Sequence, residues 1–121
     1  MTSESKISKL ILGLIEKTRR NEIKWEKAKL TSNMNEFDEP IVDLLYKISI
    51  ENAIFRIYKY KTKSYRDEYE WEWVDRVKLE LIDDDENTLY EFPYDYSLVN
   101  LYDAVREQTS GINDIIDKII I

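Results

Sequence analysis

Between Tyr58 and Trp73 the chain reads YKYKTKSYRDEYEWEW, lysines alternating with tyrosines and then glutamates alternating with aromatics. A period of two suits extended strands rather than helices, and two such runs of opposite charge predict a hairpin. Folding back between Ser64 and Asp67 sets Lys63 opposite Glu68, Lys61 opposite Glu70 and Lys59 opposite Glu72. On the other face Tyr60 meets Trp71 and Tyr58 meets Trp73. Opposite-charge and aromatic cross-strand pairs each contribute about 0.2–1 kcal/mol, and a slip of one residue would place tyrosine against glutamate. The lysines are therefore expected to be neutralised within the hairpin, with Tyr58, Tyr60, Tyr69, Trp71 and Trp73 forming one aromatic face.

Extending that register inward brings Ile57 to Val74, and leaves Val77, Leu79 and Leu81 on the wrong parity to join Phe55 and Ile57. A β-bulge near Asp75-Arg76 would return them to that face; a sheet covered on both sides is the other solution. Before the hairpin, Tyr46, Ile48 and Ile50 alternate, and a two-residue turn at Asn52-Ala53 would set Ile50 opposite Phe55 and Ile48 opposite Ile57. DDDEN, Asp83 to Asn87, reads as the next reversal, and Leu89 to Phe92 as a final strand.

Helical spacing marks both ends of the chain. Ile7, Leu10, Ile11, Leu14 and Ile15 predict an amphipathic helix from about Ser3 to Arg20, capped by Ser3 and stopped by Asn21, with Lys17, Arg19 and Arg20 at the negative end of its dipole. Glu22 to Lys29 reads as a short strand carrying Ile23 and Trp25, and Leu30 to Asp43, with Pro40, as a loop. Beyond Ser97, an expected cap, Leu98, Leu101, Tyr102 and Val105 mark another helix. Gly111 then allows either two short helices or one kinked helix ending in INDIIDKIII. That tail has two aspartates to one lysine, the wrong balance for an anionic membrane surface, so it is expected to pack on the sheet. The expected core is Ile7, Leu10, Ile11, Leu14, Ile48, Ile50, Phe55, Ile57, Val77, Leu79, Leu81, Leu98, Leu101, Tyr102, Val105 and Ile116.

Composition limits the chemistry. A chain of 121 residues is the size of one domain. With no cysteine and no histidine, it lacks the usual ligands of structural zinc and any disulfide framework. Gly13 and Gly111 are its two glycines, too few for a phosphate loop or dinucleotide-binding turn. The acidic run from Asp83 fails as a calcium loop, since Thr88 stands where glycine is needed and Tyr94 where a bidentate glutamate is needed. Glu22-Ile23-Lys24 has the E-x-K spacing of a nuclease strand, but no acidic residue precedes it on a strand. No cofactor is expected. The net charge of −7 argues against a protein that coats duplex DNA, although six basic residues outweigh three acidic ones between Glu16 and Lys29. The N-terminus has no secretory apolar region and no run is long enough to cross a bilayer, so the expected compartment is the cytoplasm.

The segment LIEKTRRNEIKWE, the central strands, and DYSLVNLYDAVREQTSGINDIIDKI together resemble a group of small bacterial proteins often carried on phages and other mobile elements. The resemblance lies in the two ends, K-T followed by I-K-W-E within Glu16 to Glu26, and the Leu101-Tyr102 helix followed by Gly111 and an apolar-acidic tail. It implies a mobile-element setting and no particular activity.

The sequence thus predicts a single α+β domain: an N-terminal helix, an antiparallel sheet of about five strands and a C-terminal helical segment, with the helices on one sheet face. Its expected role is that of a small acidic, non-enzymatic protein that binds another protein, as an inhibitor, antitoxin or immunity-type factor. The expected contact residues are Tyr58, Tyr60, Tyr69, Trp71 and Trp73, unless that face is covered and forms core. A structural or self-associating (homo-oligomeric) accessory protein is the alternative, and a carboxylate-dependent enzyme a further one.

Overall fold

A computed structural model describes residues 4–29 and 44–120. The predicted Ser3 cap and Leu30–Asp43 loop lie outside the described residues. The elements run α1 (Glu4–Arg19), β1 (Glu26–Ala28), β2 (Leu45–Ile50), β3 (Ala53–Tyr65), β4 (Trp71–Ile82), β5 (Thr88–Glu91), α2 (Ser97–Ser110) and α3 (Ile112–Ile119). The strands form one antiparallel sheet in the order β1-β2-β3-β4-β5. This is the α+β arrangement the sequence predicts, and α1 and α2 share a core with a single face of the sheet.

That face is built from Tyr46 and Ile48 of β2, Phe55 and Ile57 of β3, and Val77 and Leu79 of β4, joined by Phe92 just beyond β5. Leu98, Leu101, Tyr102 and Val105 of α2 cover it, and Ile11, Leu14 and Ile15 of α1 complete the cluster. Leu10, expected in the core, sits at the edge of the α1 stripe and is exposed.

The β3–β4 register differs from the one that pairs lysine with glutamate. Tyr65 faces Trp71, Lys63 faces Trp73, Lys61 faces Asp75, Lys59 faces Val77, and Ile57 faces Leu79. The reversal is the five-residue stretch 66–70 rather than a turn at Ser64–Asp67. It is closed by the Arg66 N–H on the Glu70 carbonyl (2.9 Å), with the Asp67 carboxylate accepting the N–H groups of Tyr69 (2.7 Å) and Glu70 (2.9 Å). Relative to the expected pairing, β4 has moved by an odd number of residues, which exchanges its two faces. Val77, Leu79 and Leu81 thereby join Phe55 and Ile57 without the bulge expected near Asp75; the register shift lies instead between Leu81 and Ile82, against β5. Magnitudes explain the outcome. Surface pairs of about 0.2–1 kcal/mol each compete with about 1.5–3 kcal/mol for each aliphatic side chain removed from water.

At the β2–β3 turn the two central residues are Glu51 and Asn52, both with positive φ (50° and 66°). This is the geometry that matches strand twist in tight hairpins, and Asn tolerates it better than the expected second residue, Ala53. Ile48 consequently faces Phe55 and Tyr46 faces Ile57. The shift from the expected register is even, so the apolar face is preserved. The DDDEN reversal forms as expected, with the Asp83 carboxylate accepting the N–H groups of Asp85 and Asn87. Those bonds, from Asn87 first, hold its carboxyl below the ordinary range.

Asn21 ends α1 in the left-handed conformation (φ 58°), as the sequence indicates. The backbone beyond Asn21 is mostly irregular: the predicted Glu22–Lys29 strand is reduced to Glu26–Ala28, because Trp25 is used differently. Its indole Nε1–H donates to Thr18 Oγ1 (3.0 Å), whose hydroxyl donates to the Leu14 carbonyl (2.6 Å). Its backbone N–H donates to Gln108 Oε1 (2.9 Å), and Gln108 Nε2 donates to the carbonyls of Ile23 (2.7 Å) and Thr18 (3.0 Å). One α2 side chain thus satisfies the backbone at the exit of α1.

Ser97 opens α2 rather than capping it; the Asp95 carboxylate accepts the Ser97 N–H (3.2 Å). Gly111, with φ 68°, separates two helices. α3 does not pack on the sheet as expected: none of its residues is buried, and Ile116, expected in the core, is exposed.

Replacing Gln108 by Leu would remove the partner of the Trp25 N–H and of the Ile23 carbonyl, and leave the Thr18 carbonyl with the Asn21 N–H alone. A loss of about 2–3 kcal/mol in unfolding free energy is expected by urea titration, and stability equal to the parent would remove Gln108 from this role.

Candidate functional site in the projecting ribbon

β2 accompanies β3 only as far as Ile57, and β5 accompanies β4 only over Glu80–Ile82, with one more bond from the Phe92 N–H to the Leu79 carbonyl (2.9 Å). From Lys59↔Val77 out to Tyr65↔Trp71, β3 and β4 continue, among the described residues, as a two-stranded ribbon about 20 Å long.

The ribbon face continuous with the core carries Lys59, Lys61, Lys63 and Tyr65 on one strand and Val77, Asp75, Trp73 and Trp71 on the other. Lys59 Nζ lies 5.3 Å from the centre of the Tyr102 ring, so α2 reaches only to this level. Beyond it Trp71 and Trp73 are 45% and 44% exposed and Tyr65 is 63% exposed. The indoles meet edge to face with centroids 5.3 Å apart, and Lys63 Nζ stands 4.6 Å from Trp71 and 5.7 Å from Trp73. A cation over two indole faces orders all three side chains. Tyr69 is in the reversal, almost fully exposed.

The five aromatics expected on one face are therefore divided. Trp71 and Trp73 share the lysine face with Tyr65, which the sequence pattern did not single out, whereas Tyr58 and Tyr60 lie on the opposite face. Tyr58 is buried with Leu45, against Ala28 and Tyr60. The Tyr58 and Tyr60 rings meet edge to face at 6.4 Å, and Lys78 Nζ lies 4.7 Å from the Tyr60 ring. The lysines are not neutralised by Glu68, Glu70 and Glu72; Glu72 lies 3.7 Å from Arg66 instead, and among the described residues no ion pair involves Lys61 or Lys63.

Beside Tyr58 is an ion pair that sequence reasoning missed. Arg56 Nε and Nη2 both donate to Glu80 Oε1 (3.1 and 2.9 Å), Thr88 Oγ1 donates to Glu80 Oε2 (3.0 Å), and Arg56 and Glu80 are 3% and 5% exposed. Arg56 Nη1 is buried without a hydrogen-bond partner. The signal was present, because Arg56 and Glu80 each interrupt an apolar stretch and lie opposite one another once Ile57 is set against Leu79. Burial, and then the charge and hydrogen bond of Glu80, push the Tyr58 phenol far above its ordinary value. Buried in this way, the pair anchors the base of the ribbon.

The described surface elsewhere carries less chemistry. An open hollow of about 340 Å³ is lined by Lys24, Trp25, Gln108 and Asp114 among others, and Trp25 and Gln108 are already engaged with each other. Glu22-Ile23-Lys24 lies at the exit of α1 and not on a strand. Among the described residues no group of three or more carboxylates is arranged to hold a metal, and no helix is long and apolar enough to cross a membrane.

Trp71→Ala combined with Trp73→Ala should leave unfolding free energy within about 1 kcal/mol of the parent, whereas Tyr58→Ala should cost about 3–5 kcal/mol; urea melts of the two variants separate these environments. Because folding keeps the Tyr58 phenol neutral, its contribution is intact below about pH 10 and declines above it, where the unfolded chain can ionise. Tyr58→Phe should flatten part of the alkaline fall in stability, measured by melts from pH 9 to 11.

Compared with family models, curated proteins and solved structures, the chain matches none.

Proposed function

We propose that this is a non-enzymatic binding protein whose contact surface is the lysine-and-tryptophan face of the ribbon, and whose partner is another protein. The observation that carries this reading is the exposed set Tyr65, Trp71 and Trp73 on the ribbon, with the two indoles ordered around Lys63. Tryptophan and tyrosine are over-represented among residues that dominate interface energies, and exposed aromatic clusters of this kind are uncommon on monomers that bind nothing. Lys61 and Lys63, which form no ion pair among the described residues, suit a partner surface that presents carboxylates to the rim of an aromatic contact. With its acidity and small size, the protein fits the class of inhibitor, antitoxin or immunity-type factors that act by occupying a surface.

A second reading has one observation in its favour. Lys59, Lys61 and Lys63 share a face with the tryptophans, and cationic side chains around exposed rings form the usual platform for single-stranded nucleic acid. The net charge of −7 weighs against it.

One experiment separates the two. The parent and the Trp71→Ala/Trp73→Ala variant, confirmed folded by circular dichroism, are used as baits in host lysate and titrated with a single-stranded oligonucleotide. Under the proposal a protein co-purifies with the parent, binding to the variant falls at least tenfold, and the oligonucleotide leaves tryptophan fluorescence unchanged. Micromolar oligonucleotide binding with a steep salt dependence would replace this reading with the second, and equal capture by both baits would overturn the role of the ribbon face.

A further inference from the structure

Among the described residues the outer edge of β4 has no neighbouring strand from Trp71 to Lys78: β5 ends at Glu91, the Phe92 N–H makes the last backbone bond to Leu79, and beyond it the Tyr94 side chain stands over Arg76, its ring centre 4.9 Å from the guanidinium carbon. An open strand edge is a template for another strand. Because the Leu79 carbonyl points outward to Phe92, and β4 pairs with β3 without interruption from Trp71 to Ile82, the direction of the outer groups alternates along the strand. The N–H and C=O of Trp71, Trp73, Asp75 and Val77 thus point to the open edge.

We infer that this edge pairs with the same edge of a second copy, antiparallel about a two-fold axis at Val74. The backbone permits that register, because it sets outward-pointing residues against outward-pointing residues: Trp71 against Val77 of the second copy, and Trp73 against Asp75 of the second copy. The side chains select it. In the run Glu72-Trp73-Val74-Asp75-Arg76 the charges on one face reverse about Val74, so Glu72 lies opposite Arg76 of the second copy, Arg76 opposite Glu72, and valine meets valine. These fall at the positions without direct backbone bonds, where side chains approach most closely. On the other face Trp73 comes diagonally beside Trp73 of the second copy, covering part of its exposed ring. Glu72 is only weakly held in the single chain, 3.7 Å from Arg66 with both side chains more than half exposed. A two-fold contact of this kind is closed, so pairing ends at a dimer. The dimer sets two ribbon faces side by side. It rests on the backbone edge and the order of charges, and stands whether or not the ribbon face binds a further protein.

Sedimentation equilibrium over about 1–500 μM tests it. The parent should show a monomer–dimer equilibrium that weakens with salt. Glu72→Arg alone and Arg76→Glu alone should each raise the dissociation constant at least tenfold, by placing like charges opposite one another. Equimolar mixing of these two variants should restore the dimer, as should the double substitution in one chain, since both arrangements are again complementary. A parent that stays monomeric throughout overturns the inference, as does a mixture that fails to associate. A dimer indifferent to both charge changes but lost on Ile116→Asp would also overturn it, assigning association to the exposed isoleucines of α3.

Discussion

Ile57 against Leu79, and with it Phe55 against Leu81, is the pairing on which the remaining structure depends. It brings the aliphatic residues of β4 to the face that α2 covers. By the same step it carries Trp71 and Trp73 to the lysine side of the ribbon and places Arg56 opposite Glu80 on the other side. A sheet has one parity per strand, so these consequences cannot be separated. Burial of the base of the hairpin decides what its tip exposes.

The helical layer is held by a second constraint, in polar rather than apolar contacts. Gln108 of α2 reaches the end of α1 and bonds to the backbone at Thr18, Ile23 and Trp25, while Trp25 closes the arrangement through the Thr18 hydroxyl. Thr18 and Trp25, part of the K-T and I-K-W-E pattern near the N-terminus, thereby acquire a structural purpose. The turn beyond α1 would otherwise leave backbone groups unsatisfied beside the core, at a cost comparable to a lost buried hydrogen bond. Tyr102 links the same helix to β2 through its hydroxyl on the Leu44 carbonyl (2.9 Å) and its ring against Tyr46.

The two faces of the ribbon have different roles. One holds Tyr58 above a sealed Arg56–Glu80 pair, a polar arrangement that fixes register because an arginine buried without its carboxylate would be strongly destabilising. The other leaves indoles half in water with a lysine over them, beside a β4 edge that has no neighbouring strand among the described residues. Tryptophan rings and open strand edges are both features that folded proteins usually cover. Their coincidence at the far end of β4, away from the helices, is the basis for assigning binding to this region.

The elements were legible in the sequence: the helical stripes of α1 and α2, the stop at Asn21, the alternating strands, the DDDEN reversal and the α+β order. These arise from local periodicity and from residues whose backbone preferences act within a turn or two. Long-range packing fixed the rest: the register of the long hairpin, the division of Tyr58 and Tyr60 from Trp71 and Trp73, the separation of α2 and α3 at Gly111 and the exposure of Ile116. Lys59, Lys61 and Lys63 find matching charges in one register and their hydrophobic neighbours find a core in another. The conflict is resolved by the covering of Val77, Leu79 and Leu81 by α2, a helix that begins fifteen residues after β4 ends. Charge pairs on an exposed ribbon are weak because water screens them, and aliphatic burial is strong because water is removed. The non-local contact therefore overrode the local pattern.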